Sequence, residues 1–270
     1  MKQPALFISH GAPDIAVRPS PVRDYLVQFG KDHPRPDAII IASAHYETLR
    51  PEVGGAAHPE TIYDFGGFAP ELYEMKYRAP GAPELAAEVA SAFREAGLEA
   101  RVNPAAGFDH GIWTPLILAF PQADIPVVPV SVQPDEDAAH HYRLGRALAP
   151  FRDRNILVVG SGHITHNLRA MFQAIRGGAV DRATETAIDG FIGWINGKLA
   201  EGDVASLLKW MEEAPHALAN HPTPEHFMPF FVALGAGDVK GSGAVTAELA
   251  HSSKMFGAFN SDFWLFREAA

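Results

Sequence analysis

Ala5-Leu6-Phe7-Ile8-Ser9-His10-Gly11 decides the fold: an apolar run that ends in Ser, His and Gly. A short apolar run without polar alternation reads as a strand buried on both faces, the kind found in parallel sheets covered by helices. The pattern recurs at Ala38-Ile39-Ile40-Ile41-Ala42-Ser43-Ala44-His45 and at Ile156-Leu157-Val158-Val159-Gly160-Ser161-Gly162-His163. Val127-Val128-Pro129-Val130-Ser131-Val132 adds a buried strand with no histidine at its end. In open α/β sheets, ligands and chemistry collect at the carboxyl ends of the strands. Histidines released from several strands at that edge point to a metal site.

Helical stretches lie between these runs. Pro83 to Ala96 carries Leu85, Val89, Ala92 and Phe93 at helical spacing, and Gly97 supplies a stop. Trp113 to Phe120, Ala138 to Pro150, Asn167 to Ile175, Arg182 to Ala200 and Phe227 to Leu234 also read as helices, with Leu207 to Met211 continuing helical. Ala100-Arg101-Val102 is a short strand candidate, and the Gly/Ser-rich stretch from Gly241 to Phe266, with alternating aromatics, reads as strands. This alternation predicts an α/β fold: a single three-layer domain over residues 1–270, with a mainly parallel central sheet flanked by helices and a metal site at the strand carboxyl ends. No linker and no internal repeat interrupts it.

Composition narrows the chemistry. Hydrophobic residues make up 47% of the 270, enough for a substantial core and too many for wholesale disorder. The net charge of -10 argues against a nucleic-acid groove, which needs clustered Lys and Arg. With no cysteine, any metal must be held by His, Asp or Glu, and 13 histidines are present. Met1-Lys2-Gln3-Pro4 enters a strand directly, and its apolar stretch is too short for a signal peptide or membrane span, so a cytoplasmic protein that engages no membrane is expected.

Each histidine cluster has two readings. A single strand-end histidine is as readily an inert turn residue. His10 and His45, on strands of one sheet and each closely preceded by Ser, favour metal binding. Imidazole suits zinc and iron, and two histidines with one further ligand leave positions open for substrate. In Asp109-His110-Gly111 the acid is too close in sequence to orient the ring, and Gly107 and Gly111 permit close backbone approach. His163 and His166 are either a polar helix start or a base and a ligand. In His221-Pro222-Thr223-Pro224-Glu225-His226, either Glu225 or His226 could complete a metal triad, or the segment could be a solvated helix start. The chain lacks H-E-x-x-H, a Walker loop and a G-x-S-x-G elbow, and no G-x-G-x-x-G follows the first strand.

In order, Ser9-His10-Gly11, Ser43-Ala44-His45, Tyr63-Asp64-Phe65-Gly66-Gly67-Phe68, Gly107-Phe108-Asp109-His110-Gly111, His166-Asn167-Leu168-Arg169 and Pro222-Thr223-Pro224-Glu225-His226 span nearly the whole chain. Together they resemble the LigB-type class III extradiol ring-cleavage dioxygenases, in their 4,5-DOPA extradiol dioxygenase-like branch. The resemblance implies a non-haem divalent metal, Fe(II) expected and Zn(II) possible, and a catecholic substrate opened with O2 to a muconic semialdehyde. It implies His10, His45 and His226 as metal ligands. It makes His166 the acid/base or a fourth ligand, and His110 a second active-site histidine facing oxygen and substrate. His163 receives no role. The third corner is a carboxylate in protocatechuate-cleaving relatives, whereas the matching position here is His226 beside Glu225. Tyr46, Tyr63 and Phe65 are candidate substrate walls. The rival reading is a zinc-dependent hydrolase using metal-bound hydroxide, with Glu225 or Asp109 as its base.

Overall fold

A computed structural model describes residues 2–176 and 178–269; Met1, Gly177 and Ala270 lie outside the described residues. Its strands are β1 (Ala5–Ser9), β2 (Ala38–Glu47), β3 (Glu52–Gly54), β4 (Arg101–Asn103), β5 (Val127–Val132), β6 (Ile156–Gly162), β7 (Val245–Met255) and β8 (Phe259–Glu268). The helices are α1 (Pro21–Asp32), α2 (Pro83–Glu95), α3 (His110–Ala119), α4 (Ala138–Leu148), α5 (Leu168–Ile175) and α6 (Arg182–Glu201). Three short turns follow, α7 (Val204–Leu207), α8 (Trp210–Glu213) and α9 (Ala217–Asn220), and then α10 (Met228–Gly237).

All strands form one sheet in the order β4-β3-β5-β2-β6-β1-β8-β7. The central β5-β2-β6-β1 pairings are parallel, whereas β8 runs antiparallel to β1 and to β7, and β3 antiparallel to β5. The expected mainly parallel sheet is therefore present, with an antiparallel hairpin on one flank. The sheet carries two apolar layers, and the unbroken apolar runs explain both. Alternate residues of a strand face opposite sides, so Leu6, Ile8, Ile39, Ile41, Leu157 and Val159 pack with α1 and α3. Ala5, Phe7, Ile40, Ala42 and Val158 pack on the other side with α2, α4, α6 and α10.

Several elements refine the sequence reading. The α1 helix begins at Ser20, whose hydroxyl accepts from the Arg23 backbone N–H, and Pro21 occupies its first turn. Only Val22, Leu26 and Phe29 are buried on it, a stripe too sparse to stand out in the sequence. Leu207 to Met211 is broken into α7 and α8 at Leu208-Lys209. His163 and His166 lie in the loop between β6 and α5, not on a helix. The C-terminal aromatics Phe259, Phe263, Trp264 and Phe266 are core residues, and Phe256 is exposed. Among the described residues, no helix is long and apolar enough to cross a membrane.

Two glycines of β6 set the position of the site. A Cβ at Gly160 would collide with the Pro229 carbonyl, and one at Gly162 with the His226 carbonyl. Their bare backbone lets the segment leading into α10 lie directly on the strand. The apolar α10 fills the layer above, with every residue from Met228 to Gly237 buried.

Candidate metal centre

His10 follows β1, and its backbone N–H donates to the Gly162 carbonyl at 3.0 Å. His45 lies near the carboxyl end of β2, two strands away across β6. His226 precedes α10, and its carbonyl accepts the His163 N–H at 2.8 Å. Thus strands β1 and β2 and the loop before α10 bring together the three imidazoles that the resemblance implied. His45 Nε2 lies 3.1 Å from His10 Nε2 and 3.2 Å from His226 Nε2.

The far side of each ring shows which nitrogen carries the proton. Ser161 Oγ donates to the Gly111 carbonyl. Having spent its proton there, it must accept from His10 Nδ1, 3.0 Å away. His226 Nδ1 faces a Glu225 oxygen at 2.8 Å, and His45 Nδ1 faces an Asp64 oxygen at 3.5 Å. A carboxylate favours N–H on the nitrogen that faces it, so all three Nε2 atoms turn lone pairs toward one another. Uncompensated lone pairs at that separation repel, and a cation between them removes the conflict. Neighbouring ligands at about 2.0–2.1 Å from a metal stand about 2.9–3.4 Å apart for octahedral to tetrahedral angles, which the observed spacings match. The donor set fits a divalent metal.

The electrostatics agree. Burial, with His45 and His110 as neighbours, drives His10 well below the ordinary imidazole range. Burial and His110 lower His45, and burial and His166 lower His226. Neutral imidazoles are the ligating form.

Two further histidines flank the triad. His110 opens α3, and Asp64 takes both its free donors: the helix-terminal N–H at 2.9 Å and Nδ1–H at 2.8 Å. Its ring lies 3.9 Å from that of His45. Burial alone would raise the Asp64 carboxyl, but the His110 bonds outweigh it and hold it below the usual range. The acid beside His110 in sequence, Asp109, instead accepts from Ser43 Oγ at 2.6 Å, and burial raises it to about 6. His166 stacks on His226 with ring centres 3.4 Å apart and planes 12° from parallel. Burial, then His163 and His110, lower His166 to about 3.

The serine before each strand-end histidine has a structural task. Ser9 Oγ accepts the Ile164 N–H and ties the end of β1 to the loop after β6, and Ser43 Oγ accepts the His45 N–H within β2 while donating to Asp109 ahead of α3. The loop half is laced in the same way. His166 N–H donates to Asn220 O at 2.8 Å, and His221 Nε2 donates to Ile164 O at 3.0 Å. His163 is buried, its Nε2 has no partner among the described residues, and it is not one of the converging ligands. His140 and His141 bond Gln133 at the end of β5 and serve that strand.

The candidate walls separate. Phe65 meets His110 edge-on at 5.8 Å, and Tyr63 stands 6.2 Å behind Phe65, its hydroxyl on the Met75 carbonyl. The Tyr46 hydroxyl is engaged by Glu52 and Asn103 on the edge strands. Asp64 and Ser161 carry no role in the sequence pattern itself. Asp64 had one visible signal, as the only carboxylate in the aromatic-glycine loop Tyr63–Phe68.

Comparison with known proteins bears on this geometry. Residues 21–263 match the family model described as the catalytic LigB subunit of aromatic ring-opening dioxygenase. A 4,5-DOPA dioxygenase extradiol from Beta vulgaris is 39% identical over 251 residues, covering 92% of this chain and 90% of that protein. One of the same name from Escherichia coli K12 is 36% identical over 241 residues, covering 88% and 86%. The crystal structure of an uncharacterized protein from Escherichia coli K12 superposes with a TM-score of 0.77 at 28% identity, covering 97% of this chain and 99% of that one.

Proposed function

The chain belongs to the LigB family of aromatic ring-opening dioxygenases and is a metal-dependent extradiol dioxygenase, and from that premise we propose that it opens a DOPA-like or protocatechuate-like catechol with O2, beside the diol, to a muconic semialdehyde. The observation that carries this reading is the convergence of the His10, His45 and His226 Nε2 atoms, with each ring's Nδ1 side occupied by Ser161, Asp64 or Glu225. Those residues would hold the metal, Fe(II) by family expectation. Three neutral imidazoles also make a zinc donor set, because the third corner is His226 and Glu225 is committed to it.

When bound, the metal supplies Lewis acidity toward the catechol hydroxyls and the electron exchange with O2 that ring opening needs. The side chains do the rest. His166, neutral and beside the His226 ring, accepts a phenolic proton at Nε2, since its Nδ1 faces Glu225 at 3.8 Å. His110, held at Nδ1 by Asp64, presents Nε2 beside the His10 and His45 rings, where it can hold a proton for developing negative charge on oxygen. Phe65, with Tyr63 behind it, offers the catechol an apolar face and limits water. The hydrolase alternative needs a free carboxylate as base, but Glu225 is bonded to His226 and Asp109 to Ser43.

The test begins with Fe(II)-loaded protein given DOPA or protocatechuate under anaerobic conditions. Air is then admitted. A yellow product formed with equimolar oxygen uptake is expected. Hydrolytic turnover without oxygen uptake, or metal retention with no catechol consumed, would overturn the reading.

A further inference from the structure

Asp64 and Glu225 occupy corresponding places on opposite sides of the triad. Each lies near one converging imidazole and one flanking imidazole: Asp64 with His45 and His110, Glu225 with His226 and His166. The distances within the two groups are reversed. Asp64 makes its short contact, 2.8 Å, with the flanking His110 and stands 3.5 Å from His45. Glu225 makes its short contact, 2.8 Å, with His226 and stands 3.8 Å from the flanking His166. We propose that the two carboxylates are positioning residues with divided labour: Asp64 sets the orientation and tautomer of the substrate-side His110, and Glu225 sets those of the metal-side His226. This inference rests on the metal-centre reading above.

Neither group is a separate cation site. Both Asp64 oxygens are taken by N–H donors of His110, at 2.9 and 2.8 Å, and a cation there would have to displace both bonds. Glu225 Oε1 already accepts from His226 and from the Thr223 hydroxyl at 3.0 Å. The Thr223 bond and the prolines on either side of Thr223 hold the Glu225 segment in register. Such outer partners fix which nitrogen of an imidazole is protonated and so which one is free to act. With Nδ1–H given to Asp64, His110 has Nε2 free to face substrate. With Nδ1–H given to Glu225, His226 has Nε2 free to face metal.

The roles separate in zinc-loaded protein carrying 15N-labelled histidine. Zinc affinity is read by chelator competition, and ring tautomers by long-range proton–nitrogen correlation spectra. Asp64→Asn puts an amide that can donate against Nδ1, so His110 is expected to shift to its Nε2–H form, while the zinc Kd, reached from Asp64 only through its longer 3.5 Å approach to His45, rises by a smaller factor than in Glu225→Gln. Glu225→Gln is expected to raise the zinc Kd about 10- to 100-fold and to leave His110 signals unmoved. Asp64→Glu keeps a carboxylate and should retain the Nδ1–H form of His110, a rescue that merely loosened packing would not produce. Equal loss of zinc in Asp64→Asn and Glu225→Gln would overturn the proposal. So would an unchanged His110 tautomer in the first, or an unchanged Kd in the second. These readouts do not need turnover, so wild-type protein that binds zinc but, when loaded with Fe(II), opens no catechol would count against the catechol-opening reading alone. Wild-type protein that binds no zinc would overturn the metal-centre reading and this inference with it.

Discussion

His10 and His45 stand at the ends of central strands, whereas His166, Glu225 and His226 stand on two loops that hold one another. In the strand half, position comes from the sheet: β1 and β2 both pair in parallel with β6, and the ladder carries the histidines at its end. In the loop half, position comes from a few specific bonds, from His163 to His226, His166 to Asn220 and His221 to Ile164, laid over a glycine strand. A sheet edge supplies a fixed frame for two ligands. The loops close the site and bring the proton-handling group, and they depend on close backbone approach to stay in place.

The largest expected effect lies in the strand half. His45→Ala removes the imidazole whose Nε2 contacts both other ligands, and turnover and metal binding should fall below detection while the far-UV circular dichroism is unchanged. Retained stoichiometric metal would break the comparison at its root. In the loop half, His166→Ala should lower kcat by about 10²–10⁴ with metal still bound, the range expected for a general acid–base. Full ring-opening activity in that variant would refute its assignment as the base.

Acid should separate the halves next. Burial lowers His163 to about 4 and both His166 and His221 to about 3 in the loop half, and it also lowers His10 and His45 in the strand half, where the sheet ladder opposes opening. Below about pH 6.5 the unfolded chain binds protons that the folded chain refuses. Their contribution to stability is therefore intact above that pH and declines as pH falls toward 4, by up to about 1.4 kcal/mol per pH unit for each group. Denaturant midpoints of the metal-free protein should fall across this window. Hydrogen exchange should show the segments around His166 and Asn220 opening before β1 and β2; simultaneous opening would mean that the halves are one unit. The smallest effect is expected from Gly162→Ala. Its Cβ meets the His226 carbonyl, for a cost of about 1–3 kcal/mol from overpacking and weaker metal retention, read by thermal unfolding and metal content. Unaltered stability and metal content would show that the loop has room to shift.

Much of the frame was legible from local pattern alone. The unbroken apolar runs before His10, His45 and His163 marked central strands, because a strand buried on both faces can carry few polar residues. The same pattern could not separate His10 and His45 from His163, which is buried on a loop just past the strand end and does not join the converging ligands. Strand β3 was too short for its periodicity to register, and α1 was missed because it presents only a thin apolar stripe.

From residues alone, the sequence determined an α/β sheet with imidazoles at its carboxyl edge, and its ordered motifs named the family resemblance and His226. Tertiary structure alone decided which nitrogen of each ring faces inward, that Asp64 and not the adjacent Asp109 orients His110, and that the Tyr46 hydroxyl is committed to Glu52 and Asn103. The physical reason is range. Burial and periodicity are properties of a few consecutive residues, whereas a proton's place on an imidazole depends on a partner brought from a distant loop by the packing of the whole sheet.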